Sequence, residues 1–158
     1  PYTMSCWVRL DKYGTSRFVM GRGENGSNLK FQSTFAGDTN NWLAKDFRSD
    51  PAGGYYTMAR ADTAIWTHLA MTVSGTKVQL FVDGNRQVVD SGFDSDVVGR
   101  RAALFAIGVA TDTLDGTGQH FSGDLSEAWV QGVARPADWI RLVAANQKPG
   151  GRAAKPLP

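Results

Sequence analysis

The sequence predicts an all-β protein: a two-sheet antiparallel sandwich of jelly-roll type with one short C-terminal helix. Three observations predict it. Short segments in which apolar and polar side chains alternate recur from Tyr2 to Gln131, the period of a half-buried strand. Turn-forming residues separate them, and the 18 glycines are more than a helical protein of 158 residues would need. The period changes only once, after Ala134, to the three-and-four spacing of a helix.

The clearest stretch is Ile65 to Val89. In Trp66 to Val73, Leu69, Met71 and Val73 share one face, and His68, Ala70 and Thr72 share the other. Ser74-Gly75-Thr76 turns the chain, and Val78, Leu80 and Val82 repeat the alternation. Asp83-Gly84-Asn85 tolerates positive φ, so a second hairpin follows. From the start of the chain, Tyr2 to Leu10 is a strand with Met4, Cys6, Val8 and Leu10 on one face and Thr3, Ser5, Trp7 and Arg9 on the other. Arg17 to Gly21 is a second strand, and Leu29, Phe31, Ser33 and Phe35 mark a third. Gly37 to Gly54, rich in Asp, Asn and Gly without a period, reads as a long surface loop with at most a short irregular strand around Trp42. Such loops are usually functional or mobile. Tyr55 to Arg60 is a further strand. After the meander, Ser91 to Arg101 reads as turn-like, Ala103 to Val109 as a buried strand, and Thr111 to Gly118 as a loop. Phe121 to Gln131 resumes the strand pattern.

In the helical segment Ala134 to Gln147, Trp139, Leu142 and Val143 form the periodic face with Ile140 and Ala144 alongside, and Pro136 suits the first turn. Residues 1–148 therefore form one domain, and Pro149 to Pro158 has the composition of a flexible linker or tail. The chain begins at Pro1 rather than Met, as a processed or excised piece would.

Composition excludes several classes. A net charge of +2 with no Lys/Arg run lacks the footprint of nucleic-acid binding, and no apolar run approaches a membrane span. Cys6 is the single cysteine, so no internal disulfide forms, and its place among core residues marks it as a small buried hydrophobe. Glycoside hydrolysis needs a carboxylate pair in one cleft. The two glutamates, Glu24 and Glu127, stand in no such run. His120, Ser122 and Asp124 lack a nucleophile elbow. No enzymatic activity is expected.

Four motifs resemble the laminin-G-like domains of the concanavalin A-like lectin/glucanase superfamily. Met4-Ser5-Cys6-Trp7-Val8 resembles the family's early S-x-W-V strand, and Trp66 to Thr72 its W-x-H-v-A-l-T strand. Leu80-Phe81-Val82-Asp83-Gly84 is similar to its l-Y-v-D-G hairpin. Phe121 to Glu127 is similar to F-x-G-x-I-D-E, with Ser126 standing where the family usually has Asp. The resemblance implies a concanavalin A-like jelly roll, in which a strand normally precedes the S-x-W-V segment. It also allows glycan binding, adhesion or structural roles, because this fold hosts many functions.

For carbohydrate, recognition asks for an exposed aromatic platform flanked by groups that pair with hydroxyls. Trp42 with Asn40, Asn41, Tyr55, Tyr56 and Arg60 fits; the alternative is that Trp42 plugs the end of the sandwich. His68 reads as a structural histidine, and Trp7, Trp66 and Trp129 as packing residues, with Trp139 docking the helix. Relatives suggested by the resemblance bind calcium through hard oxygen ligands. Asp38, Asp112 and Asp115 are the candidate suppliers of a Ca2+ site, and Asp94 with Asp96 a further pair; all five are also plain turn formers. The leading expectation is a non-catalytic binding or adhesion module for a glycan or a protein partner, extracellular or surface-exposed. A second is a structural subunit of a surface layer, filament or virion. In it, a sheet left open by the late start of the chain would exchange strands with a neighbouring chain.

Overall fold

The nine residues Tyr2–Leu10 alternate without interruption, and they form the strand on which the first sheet is assembled. The computed structural model describes residues 1–13, 17–22, 28–33, 40–46, 54–90, 105–109 and 120–149. Among these, ten strands and one helix follow in order: β1 (Tyr2–Leu10), β2 (Arg17–Arg22), β3 (Asn28–Ser33), β4 (Asn40–Asp46), β5 (Gly54–Arg60), β6 (Trp66–Ser74), β7 (Lys77–Val82), β8 (Asn85–Asp90), β9 (Phe105–Ile107), β10 (Gly123–Gln131) and α1 (Ala137–Asn146). They make two five-stranded sheets, ordered β10-β1-β6-β7-β8 and β5-β4-β3-β2-β9. Every strand pairing is antiparallel, the architecture the alternation predicts.

The period-2 faces meet in the middle. Met4, Cys6, Val8 and Leu10 from β1, Leu69, Met71 and Val73 from β6, and Val78, Leu80 and Val82 from β7 pack against Val19, Met20, Trp42 and Ala44 of the second sheet. Burying each of the larger side chains contributes about 1.5–3 kcal/mol, and this shared interior holds the sheets together. The Cys6 thiol is fully buried, and burial pushes its pKa up, so it is an inert hydrophobe.

The opposite face of β1 is buried too. Thr3 and Ser5 are inaccessible and Trp7 is nearly so. Over this outer face of the first sheet, α1 lays Ile140 against Ala70 and Phe81. The buried stripe of the helix is Ile140, Val143 and Ala144, while Leu142, expected on that stripe, is 59% exposed. Pro136 sits one position earlier than expected, as the N-cap with extended backbone.

The meander turns as its residues demand. Asp83 and Gly84 both have positive φ, 49° and 76°, the signature of a tight hairpin whose twist matches its strands. The Asp83 backbone N–H donates to the His68 carbonyl at 2.8 Å, and the His68 N–H donates to Asp83 Oδ1 at 2.8 Å. The turn is thus folded back onto β6, and the helix rests on it: a Cβ at Gly84 would stand 2.9 Å from the Arg141 Cα.

Two sequence expectations are corrected here. Gly37 to Gly54 is not a loop throughout. Asn40–Asp46 is a seven-residue strand paired on both sides, to β3 and β5, because Trp42 and Ala44 supply an inward face that the surrounding Asp and Asn residues conceal. Among the described residues of Ala103 to Val109, which are 105–109, the strand is Phe105–Ile107, and it is not buried: as the edge of the second sheet it leaves Phe105 42% and Ile107 47% exposed. The expected strand through Phe35 is described as far as Ser33. Residues 91–101, 111–118 and 150–158 lie outside the described residues.

The sheet edges bear on strand exchange. β1 is internal, and β10 is the edge beside it. Between Ser5 and Trp7 the β10 register shifts, and Glu127, exposed with φ 49°, sits in the resulting bulge at mid-strand. A bulge and a charge in the middle of an edge oppose pairing with another chain.

Replacing Gly84 with Ala tests the docking of helix on turn. The added methyl meets the Arg141 backbone in a left-handed conformation, so urea unfolding should show a loss of roughly 2 kcal/mol or more; unchanged stability would contradict this packing.

Candidate functional site

The second sheet carries the residues singled out for ligand binding. Trp42 is fully buried within the sandwich core, so it cannot be an exposed stacking platform, and that expectation is corrected. The reason is parity. β4 runs between two partners, and its alternation sends Trp42 and Ala44 inward, which leaves Asn41 and Leu43 on the opposite, outer face.

That outer face is not the one covered by α1, which packs on the first sheet. On it Asn41 is directly opposite Arg60 of β5, and Gln32 of β3 holds the position on Asn41's other side. Asn41 is half-buried and Arg60 exposed. Among the described residues Arg60 has no ion-pair partner. Beside them Leu43 is only 7% exposed. Asn40 is half-buried at the head of β4, and its carbonyl accepts the Ala61 N–H at 2.9 Å, which pins the end of β5 beside it. Tyr55 and Tyr56 occupy the β5 positions opposite Lys45 and Ala44. The structure thus brings Asn40, Asn41 and Arg60 together and removes Trp42 from the group. Asp38, Asp112, Asp115, Asp94 and Asp96 lie outside the described residues; among the described residues no three His, Cys, Asp or Glu side chains gather as a metal site would require.

On the first sheet, His68 and the Arg9–Asp124 pair tie neighbouring strands together. His68 is 1% exposed, and its Nε2 lies 2.9 Å from Ser5 Oγ. The Trp7 ring packs against it with centroids 5.3 Å apart. Burial pushes the His68 pKa down from 6.5 to about 4, so the ring is neutral in the folded protein. At the end of the same face Arg9 pairs with Asp124 and lies over the Trp66 ring, 5.7 Å from its centroid. Gly123, next to Asp124, lets β10 pass so close to β1 that a Cβ there would collide with the Arg9 carbonyl.

Sequence reasoning missed one further group. Trp129 and Trp139 meet edge to face with centroids 5.1 Å apart. The Arg135 guanidinium lies 4.9 Å from the Trp139 centroid and is bonded through Nε to Gln131 Oε1 at 2.5 Å. All four are half-buried. The i, i+4 spacing of Gln131 with Arg135, and of Arg135 with Trp139, was visible, but the connection from β10 to α1 that brings them together was not.

Two five-stranded antiparallel sheets packed on a shared core, one of them covered on its outer face by a helix, define a two-sheet β-sandwich. The chain belongs to the concanavalin A-like lectin/glucanases superfamily, whose laminin-G-type family profile matches residues 1–141. Solved structures share the fold. A putative carbohydrate binding protein from Bacteroides ovatus is 20% identical with a TM-score of 0.66, over 89% of this chain and 39% of that one. Domain 4 of an extracellular arabinanase from Geobacillus stearothermophilus, in complex with arabinotriose, is 20% identical with a TM-score of 0.66, over 90% and 66%. The native heptameric SAP-like pentraxin from Limulus polyphemus is 15% identical with a TM-score of 0.70, over 96% and 72%. The chain therefore spans less than two thirds of the length of the first two. A search of curated proteins finds no match. Among the described residues no helix is long and apolar enough to cross a membrane.

Truncating Trp42 to Ala removes a core side chain, so it should destabilise the fold by about 3–5 kcal/mol in urea unfolding; a variant as stable as the parent would return Trp42 to the surface. His68 sets a pH dependence. Its pKa is lower folded (about 4) than unfolded (6.5), so between these values the unfolded chain binds the extra proton and stability falls as pH falls. At about 1.4 kcal/mol per unit the loss totals roughly 3 kcal/mol, and His68→Gln should flatten that part of the stability–pH curve.

Proposed function

We propose that the domain is a non-catalytic carbohydrate-binding module, acting outside the cell or on a surface through the outer face of its second sheet. The observation that carries this reading is Arg60, exposed and without an ion-pair partner among the described residues, directly opposite the half-buried amide of Asn41. A guanidinium and an amide on paired positions of adjacent strands together offer donors and an acceptor to sugar hydroxyls. Because strands hold their backbones, little backbone order is lost on binding. Asn40 lies at the rim, and Tyr55 and Tyr56 belong to the strand that carries Arg60. The names of two structures of the same fold point the same way: one is a putative carbohydrate binding protein, and the other was solved with arabinotriose.

Calcium belongs to the same reading, with Asp38, Asp112 and Asp115 as hard oxygen donors that would order the loops around the ligand. Strand exchange within a larger assembly is the weaker reading, because the bulge and the exposed Glu127 in the middle of β10 oppose it.

A glycan array that includes arabino-oligosaccharides, read with calcium and again after EDTA, tests the proposal. Binding should fall about tenfold or more in Asn41→Ala and Arg60→Ala, each removing a ligand hydrogen bond, with Tm unchanged. A chain that binds no glycan in either condition, or variants that bind as the parent does, would refute the site.

A further inference from the structure

Arg135 is anchored through its backbone and through two contacts of its guanidinium. Its backbone N–H donates to Thr3 Oγ1 at 2.9 Å, and the same hydroxyl donates to the Val133 carbonyl at 2.7 Å, so β1 clamps the connection between β10 and α1. Its Nε donates to Gln131 Oε1 at 2.5 Å. Its Cζ lies over the Trp139 ring, which meets Trp129 edge to face. Ordering an arginine this far sacrifices much of its rotamer freedom. Among the described residues no carboxylate pairs with Arg135. Its two terminal nitrogens remain available, at a half-buried position where an ion pair is worth more than in open water. The surroundings are aromatic and apolar, with Val133 42% exposed beside the patch.

We infer that this patch, on the outside of the first sheet, is a second binding site, and that it takes a carboxylate-bearing saccharide such as a uronic or sialic acid. The carboxylate pairs with the terminal nitrogens of Arg135. The C–H face of the sugar ring covers the exposed parts of Trp129 and Trp139. The Gln131 side-chain N–H2, which the Arg135 contact leaves free, donates to a hydroxyl. The aromatic surface and the amide together favour a sugar over a bare carboxylate, which would use only the arginine. The inference rests on the reading of the domain as a saccharide binder but not on the Asn41–Arg60 site, since the two lie on different sheets. A module with both could hold two stretches of glycan at once, and linked sites gain affinity through effective concentration.

The test follows the indole N–H resonances of Trp129 and Trp139 in 15N-labelled protein, assigned through Trp→Phe variants. The protein is titrated with tri-galacturonate, a glucuronate oligomer and sialyllactose, and with the methyl esters of each. Acetate and an apolar tripeptide with a free C-terminus are titrated in parallel. The expected result is a saturable shift of both indoles with at least one acidic saccharide and a response about tenfold or more weaker with its ester. Arg135→Gln should weaken binding by a similar factor. Arg135→Lys, which keeps the charge but not the planar fork, should fall between, and both should keep the parent Tm and the remaining spectrum. Arg60→Ala should leave these shifts unchanged, which separates failure of this site from failure of the other. The inference is overturned if no acidic saccharide shifts the indoles, if the esters bind equally, if acetate or the tripeptide binds as tightly, or if Arg135→Lys and Arg135→Gln both bind like the parent.

Discussion

The paired hydrogen bonds between Asp83 and His68 are the constraint on which the first sheet depends. One residue in a left-handed turn offers its N–H to the His68 carbonyl and its carboxylate to the His68 N–H. Both backbone groups of a strand residue are thereby satisfied at the point where β7 has ended and its pairing with β6 stops. This folds the β7–β8 turn over β6 and fixes Gly84 where the helix can touch backbone. It also fixes the His68 ring under Trp7 and against Ser5. Breaking the clamp would loosen both the turn that carries Gly84 to the helix and the strand residue whose imidazole is buried.

The two outer faces of the sandwich are consequently unequal. The first sheet buries both its faces, one in the core and one under α1, and polar side chains such as Thr3 and Ser5 are tolerated there because they find partners in the connecting chain and in His68. The second sheet has one face in the core and carries Asn41 and Arg60 on the other. That asymmetry leaves Asn41 and Arg60 at least partly accessible on the second sheet, beside Phe18 and Leu43, which are buried on the same face. It leaves to the first sheet only what lies at the margins of the helix, where Trp129, Trp139 and Arg135 gather.

The candidate site was legible only in part. Asn40, Asn41 and Arg60 were recognisable as polar residues near one another in sequence, and the structure pairs two of them across strands. Trp42 was misread because the Asn- and Asp-rich composition around it suggests a loop, and composition does not report that an alternating pair, Trp42 and Ala44, is enough to commit a segment to the middle of a sheet. Leu142 was misread for a related reason: with three- and four-residue spacings on both sides, a ten-residue helix offers two overlapping apolar stripes, and only the surface beneath it selects one.

Local periodicity by itself determined the all-β class, the strand of Tyr2–Leu10, the meander through Asp83-Gly84 and the existence of the terminal helix, because side-chain parity and turn chemistry act over a few residues. Tertiary structure alone decided which strands became edges, which face of each sheet the helix covered, and hence which polar residues stayed accessible. Those outcomes depend on contacts between segments up to about 130 residues apart, such as Thr3 with Val133, and no local pattern carries that information.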